Sequence, residues 1–185
     1  MYILGYGSLM NSASRKRTGQ TGKAIPVIAH GLVRYWGKVN GSYQLSPLVV
    51  NEGDGQVNGV LIEVDDNALA DFDRREIGYH RLTIEPSQIE SDVSFDNSKP
   101  IWVYIKDEPQ PPCEDMPIMQ TYVDTVMAGC LEVSEEFALH FVKHTIGWQH
   151  PLENDRHAPK YGNLAGVTED HHPVIDKMVL AARTN

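Results

Sequence analysis

Tyr2-Ile3-Leu4-Gly5-Tyr6-Gly7-Ser8-Leu9 begins at the second residue of the chain and admits only a few architectures. Tyr2, Ile3 and Leu4 form a short apolar run of the kind that makes a buried strand. The glycines on either side of Tyr6 imply a sharp turn or a close approach of the backbone to something else. A dinucleotide-binding turn starts this way, but Gly5-x-Gly7-x-x-Met10 lacks its third glycine. No apolar helical period follows, and Gly19 and Gly22 interrupt the stretch early. A Rossmann unit is therefore excluded. A nucleophile turn of the G-x-S-x-G type is excluded as well, because Met10 stands where its second glycine belongs. Two readings remain: an ordinary tight turn, or a turn whose free N–H groups hold an oxyanion or a carboxylate. The basic run Arg15-Lys16-Arg17 reads as a solvated loop.

Short strands follow at close intervals. They are expected at 25–30 and 32–36 around a turn at Gly31, at 45–50, and at 57–64 after a turn at Asn51-Glu52-Gly53-Asp54-Gly55. In the last of these, alternation places Asn58, Val60, Ile62 and Val64 on one apolar face. Residues 80–85 and 100–105 add two more strands, with polar 91–98 as a hairpin tip. Such spacing leaves no room for βαβ crossovers, so the sheet is expected to be mixed and largely antiparallel. Closure into a small barrel would remove its exposed edges. Beyond Pro109, Pro111 and Pro112 the pattern becomes helical. Ile118, Tyr122, Val126 and Cys130 form a stripe ending near Gly129. Ser134 caps a second helix that buries Phe137, Ala138, Phe141 and Val142, and 174–183 form a terminal helix. Strands first and helices after them imply an α+β fold, a single domain over 1–185.

One helix sits among the strands. Asp65 or Asp66 can cap it, Gly78 can stop it, and Leu69 and Phe72 share a face that continues to Asp73 and Glu76. Glu76 is thus expected on the apolar side, at the negative helix end. Both placements raise the pKa of a carboxyl group and suit it to general acid–base chemistry. A frayed last turn with Glu76 paired to Arg74 or Arg81 fits the residues equally well.

Taken together, Gly5-Tyr6-Gly7-Ser8-Leu9 and Phe72-Asp73-x-Arg75-Glu76-x-Gly78-Tyr79-x-Arg81 resemble the γ-glutamylcyclotransferase-like superfamily, which includes the ChaC enzymes and the γ-glutamylamine cyclotransferases. The resemblance extends to Gln120-Thr121-Tyr122-Val123-Asp124 and Gly129-Cys130. It implies a small mixed barrel with helices outside, and an enzyme that cyclises a γ-glutamyl group to 5-oxoproline with release of an amine, amino acid or peptide. It also implies Glu76 as the catalytic acid–base, Tyr6, Gly7, Ser8, Leu9 and Tyr79 as substrate-binding residues, and no metal or cofactor. Asn154-Asp155-Arg156-x-x-Pro159-x-Tyr161 is similar to a family segment, but Glu153 replaces the expected tryptophan. This segment reads as a tail packed across the barrel, with Tyr161 a minor pocket candidate. A non-catalytic small-molecule-binding or assembly module on the same fold is the alternative.

Composition narrows the partners. The 185 residues carry 25 acidic and 16 basic side chains, a net charge of −9, which argues against nucleic acid or an anionic membrane; the resemblance implies a small γ-glutamyl substrate as the partner. No basic n-region with an apolar segment begins the chain, and no apolar run approaches the roughly 20 residues of a membrane span. Cys113 and Cys130 make no disulfide framework, so a reduced, cytoplasmic setting is expected. His140 and His144 have metal-ligand spacing, but the glutamate of a zincin helix is missing, since Phe141 follows His140. They read as two surface histidines.

Overall fold

The computed structural model describes residues 1–19, 22–39, 44–76 and 78–184. In chain order the strands are β1 (Tyr2–Gly5), β2 (Ala24–Trp36), β3 (Leu48–Glu63), β4 (His80–Ile84), β5 (Ile89–Glu90) and β6 (Ile101–Ile105), with the short β7 (Ile118–Met119), β8 (Thr145–Ile146) and β9 (Leu152–Glu153). The helices are α1 (Ser12–Arg17), α2 (Asp66–Arg75), α3 (Gln120–Val133), α4 (Glu135–Lys143) and α5 (His171–Thr184). The main sheet has the order β4-β6-β1-β3-β2-β5, with β8 beside β2. It is mixed: β1 pairs antiparallel with β3 and parallel with β6.

The two ends of that order, β4 and β5, are joined by residues 85–88 alone. Such a connection reaches about 17 Å at most, whereas the same strands laid flat would span about 24 Å. The sheet must curl. Among the described residues β4 and β5 do not pair, so the expected barrel is a half-barrel. Its concave side is filled mainly by strand residues, including Leu4, Val27, Val57, Leu61 and Val103, with Tyr6 and Phe95 packed against them. On the convex side Ile3, Val60 and Ile62 pack against Val123, Val126, Phe141 and Ile175 of α3, α4 and α5. β3 is therefore buried on both faces, not on one: helices cover the apolar Val60–Ile62 face, and the curl of the sheet buries Val57 and Leu61 on the other.

Three expected turns are replaced. β2 runs unbroken through Gly31, and β3 runs through 51–55; the register shifts so that His30 faces Gln56 while Leu32 faces Glu52. Apolar residues on both sides of each glycine belong to the same curled core, so the chain bulges there instead of reversing. The 91–98 segment is no hairpin tip either, since it links β5 at one edge to β6 in the interior of the sheet. α3 likewise continues past Gly129 to Val133. A Cβ at Gly129 would lie 2.3 Å from the Asn11 nitrogen, so this glycine permits close packing and does not end the helix. Ser134 caps α4 as expected, accepting from the Phe137 N–H. No helix among the described residues is long and apolar enough to cross a membrane.

Candidate active site

β1 delivers the chain to the site. After Gly5 it enters a one-turn 3-10 helix, Ser8–Met10, closed by Met10 N–H to the Gly7 carbonyl at 2.9 Å. Buried Asn11 anchors this turn from behind. Its Nδ2 donates to the Thr125 and Ala165 carbonyls, each at 2.9 Å, and its side chain caps α1. The basic run is that α1 helix, not a solvated loop: Arg15 Nη1 donates to the carbonyls of Leu9 at 2.7 Å and Met10 at 2.8 Å. The local cause is the Asn11 cap, together with two carbonyls that need donors. From beneath, buried Arg34 of β2 donates to the Tyr6 carbonyl at 3.1 Å.

α2 brings the second part. Asp65 caps it, accepting from the Ala68 N–H at 2.8 Å. Phe72, 2% exposed, anchors the helix to the core, a burial that stabilises by roughly 1.5–3 kcal/mol. Glu76 is the C-cap, one residue beyond Arg75; its N–H donates to the Phe72 carbonyl at 2.9 Å. The Arg75 side chain lies outside the described residues. Gly78 turns the chain at φ 88°, and the Tyr79 N–H donates to the Glu76 carbonyl at 3.0 Å. Arg81 is engaged elsewhere, 3.2 Å from Asp73, and Arg74 pairs with Asp71.

These two pieces face one cavity of about 560 Å³. Tyr6, Gly7, Ser8, Leu9, Glu76 and Tyr79 all line it, so the residues expected to bind substrate and the expected acid–base share one cavity. It opens beyond the C-terminal end of β1, beside its parallel neighbour β6, where ligands of open sheets commonly bind. Tyr104 of β6 lies on the floor. It accepts at its carbonyl from the Tyr6 hydroxyl at 2.8 Å and donates its own hydroxyl to Asp73 at 2.6 Å. Burial, and then the neighbouring Tyr79 and Glu76, push the Tyr6 phenol well above its ordinary pKa. Burial and then Tyr161 do the same for Tyr122. Both phenols are neutral at physiological pH.

Tyr104 and Tyr122 were not legible as site residues, and of the opposite wall only Tyr161 was named, as a minor pocket candidate. Lys160, Tyr161 and Asn163 line the cavity, and Tyr161 meets Tyr122 edge to face at 4.9 Å between ring centres. The expected tail packing is present too. Asp155, 1% exposed, accepts from the Thr121 N–H at 2.9 Å, the Thr121 hydroxyl at 2.6 Å and the Lys160 N–H at 2.8 Å. Arg156 bridges buried Asp124 at 2.8 Å and Asp176 at 2.7 Å. The segment is thus both a packed strap and a pocket wall. The signal that could have found Tyr104 is the period of β6, which sets it opposite Ile101, Val103 and Ile105.

The histidine pair also differs from expectation. The His140 and His144 rings stack at 4.2 Å, and both ring nitrogens of His140 are buried with no partner among the described residues. Burial, and then His144, lower the His140 pKa to about 4. Cys130 is fully buried, and burial raises its thiol to about 12.

Comparisons with known proteins bear on the family and the fold. The family model described as gamma-glutamyl cyclotransferase, AIG2-like, matches residues 3–123. A solved gamma-glutamyl cyclotransferase superposes with a TM-score of 0.60 at 14% identity, covering 95% of this chain and 98% of that one. An uncharacterised protein from Homo sapiens, loc79017, gives 0.59 at 14% identity, covering 95% and 97%. YkqA from Bacillus subtilis gives 0.58 at 19% identity over 78% of this chain and 53% of that one. These structural likenesses establish the fold. No curated protein matches the chain in sequence.

Proposed function

Because the chain belongs to the AIG2-like gamma-glutamyl cyclotransferase family of enzymes, we propose that it closes a γ-glutamyl group to 5-oxoproline and releases the amine to which that group was joined. The observation that carries this reading is the meeting of Glu76 with residues 6–9 across one cavity. A cavity of about 560 Å³ falls within the range of small-molecule sites and exceeds what a γ-glutamyl group alone fills.

The substrate supplies its own nucleophile. Glu76 takes a proton from the α-ammonium, and the freed amine attacks the γ-carbonyl carbon to form a five-membered ring. The carbon–nitrogen bond to the leaving group then breaks as Glu76 returns the proton to the departing nitrogen, and the second proton lost by the ring nitrogen goes to the released amine, which leaves as an ammonium ion. One carboxyl group serves as base and then as acid. Folding the substrate so that its nitrogen meets its own carbonyl is the larger task, and the cavity walls perform it. The N–H groups of Gly7 and Ser8 have no acceptor among the described residues, so they are available to the substrate's anionic oxygen, with the Ser8 hydroxyl beside them. Tyr6 and Tyr79 flank Glu76 and shape its surroundings.

The test is a product assay. The purified protein is incubated with glutathione, γ-glutamyl-amino acids and γ-glutamylamines, and 5-oxoproline is measured by mass spectrometry. Glu76→Gln serves as control. 5-Oxoproline from the wild type alone is expected; a folded Glu76→Gln protein with normal turnover would remove Glu76 from its role.

A further inference from the structure

The reaction proposed above needs an anion held at residues 6–9, yet no lysine or arginine side chain of that turn is available to hold one. Two fixed charges touch its backbone: Arg15 at the Leu9 carbonyl, at 2.7 Å, and, beneath the Tyr6–Gly7 peptide, Arg34. Arg34 is fully buried in β2. Its Nε donates to the Thr145 hydroxyl at 2.9 Å, Nη1 to the carbonyls of Tyr6 at 3.1 Å and Asn58 at 2.8 Å, and Nη2 to the Asn58 side-chain oxygen at 2.6 Å and the Phe141 carbonyl at 3.5 Å. Every one of these acceptors is neutral, and the guanidinium lies over the Phe141 ring at 4.3 Å. Among the described residues no carboxylate pairs with it.

A buried arginine without a counter-ion is costly, and proteins ordinarily pair such a charge. Burial lowers the Arg34 pKa only to about 10, so it stays protonated at neutral pH. The charge therefore persists inside the sheet, and the element it touches on the cavity side is the Tyr6 carbonyl. In a planar trans peptide the carbonyl and the next N–H point in opposite directions. Holding the Tyr6 carbonyl toward Arg34 turns the Gly7 N–H away from it.

We propose that Arg34 is the positioning residue that makes residues 6–9 an anion site: it fixes the direction of the Tyr6–Gly7 peptide, and its uncompensated charge draws the substrate's carboxylate to the exposed N–H groups. The inference rests on the function proposed above but concerns a separate step, the binding of an anion. An oxygen accepting from the Gly7 N–H would sit about 8 Å from the guanidinium, given ordinary peptide and hydrogen-bond lengths. At an effective dielectric near 20, a unit charge at that distance changes anion affinity roughly thirtyfold.

Two variants separate charge from architecture. Arg34→Gln removes the charge along with most of the hydrogen bonds. Asn58→Asp keeps Arg34 and its bonds but places a carboxylate on Nη2, neutralising the charge where it stands. Acetate and acetamide are titrated into ¹⁵N-labelled protein while the backbone amides of Gly7, Ser8 and Leu9 are followed by NMR, with the remaining amides reporting the fold. The wild type is expected to show saturable acetate shifts at these amides and none with acetamide. Folded Asn58→Asp should bind acetate about tenfold or more weakly, and Arg34→Gln should lose it. Absence of an acetate site in the wild type, or unchanged acetate affinity in folded Asn58→Asp, would overturn the proposal. Should Asn58→Asp or Arg34→Gln not fold, Arg34→Lys decides: it keeps the charge and must retain acetate binding within a few fold, and its loss in folded protein would overturn the role of the charge. An intact acetate site in a protein that makes no 5-oxoproline would count against the proposed reaction and leave the anion site standing.

Discussion

The two walls of the cavity are built differently. The wall of residues 6–9 grows directly out of β1 and is gripped from the core by Arg34 of β2 and by Asn11, whose bonds reach α3. The opposite wall, Lys160 to Asn163, has no strand behind it; the Asp155 carboxylate fastens it to the start of α3. The first wall belongs to the curled sheet and cannot move without it. The second is a strap held by side-chain bonds: the Asp155 carboxylate, Asn163 Nδ2 donating to the Ser14 hydroxyl at 2.9 Å, and Arg17 donating to the Leu164 carbonyl at 2.6 Å. Under the proposed function, anion capture would fall to the first wall and the fit of the released amine to the strap.

The largest expected effect comes from Glu76, which α2 sets across the cavity from residues 6–9. Glu76→Gln should lower kcat by about 10²–10⁴, the usual range for one general acid–base, with thermal stability near that of the wild type. A comparable kcat loss from a strap variant would break the distinction between the walls. Asp155→Asn is the corresponding cut on the strap. It leaves buried donors imperfectly paired at about 1–3 kcal/mol, and should lower Tm and raise KM while kcat stays within a few fold. Tyr161→Ala removes the edge-to-face contact with Tyr122, which is worth about 0.5–1.5 kcal/mol. It should raise KM by up to about tenfold and reorder the preference among leaving amines, as read from kcat/KM across the substrate panel.

The smallest effect separates the walls by pH. His140 lies on α4, whose Phe141 carbonyl meets Arg34, and its folded pKa is depressed to about 4. A histidine held neutral binds its proton more readily when unfolded, at about 6.5. Stability should therefore fall as pH drops from about 6.5 to 4, by about 1–2 kcal/mol once solvent screening is allowed for. His140→Phe should flatten that slope in urea melts taken across this window. Asp155 has the same sign but a more acidic window. Burial alone would raise its pKa, but the hydrogen bonds from Thr121 and Lys160 outweigh it and hold the carboxyl below its ordinary value. The stability it contributes is present above about pH 3.9 and is lost only as pH falls through the lower folded value. The wall of residues 6–9 should loosen first in acid.

The same asymmetry governs what could be read from residue order. Glycines at the end of a strand, an aspartate cap and a face shared by Leu69, Phe72 and Glu76 are local patterns, and they located the turn and α2 correctly. The sheet was legible as mixed and largely antiparallel, because strand spacing forbids crossovers. Its turns were less so. Gly31 and Gly53-Asp54-Gly55 carry turn chemistry, yet they became a register shift within two long strands. Arg15 looked solvated because its acceptors are carbonyls, which no side-chain pattern announces.

Sequence alone was sufficient for the strand, turn and helix that bear Tyr6, Gly7, Ser8, Leu9 and Glu76, since each depends on neighbours within a few residues. Tertiary structure alone decided that Tyr161 faces Tyr122, that Asp155 reaches Thr121, and that Arg34 lies beneath Tyr6. Those contacts join residues 39, 34 and 28 positions apart. They exist because a curled sheet and its covering helices bring the segments together, and no local preference encodes that meeting.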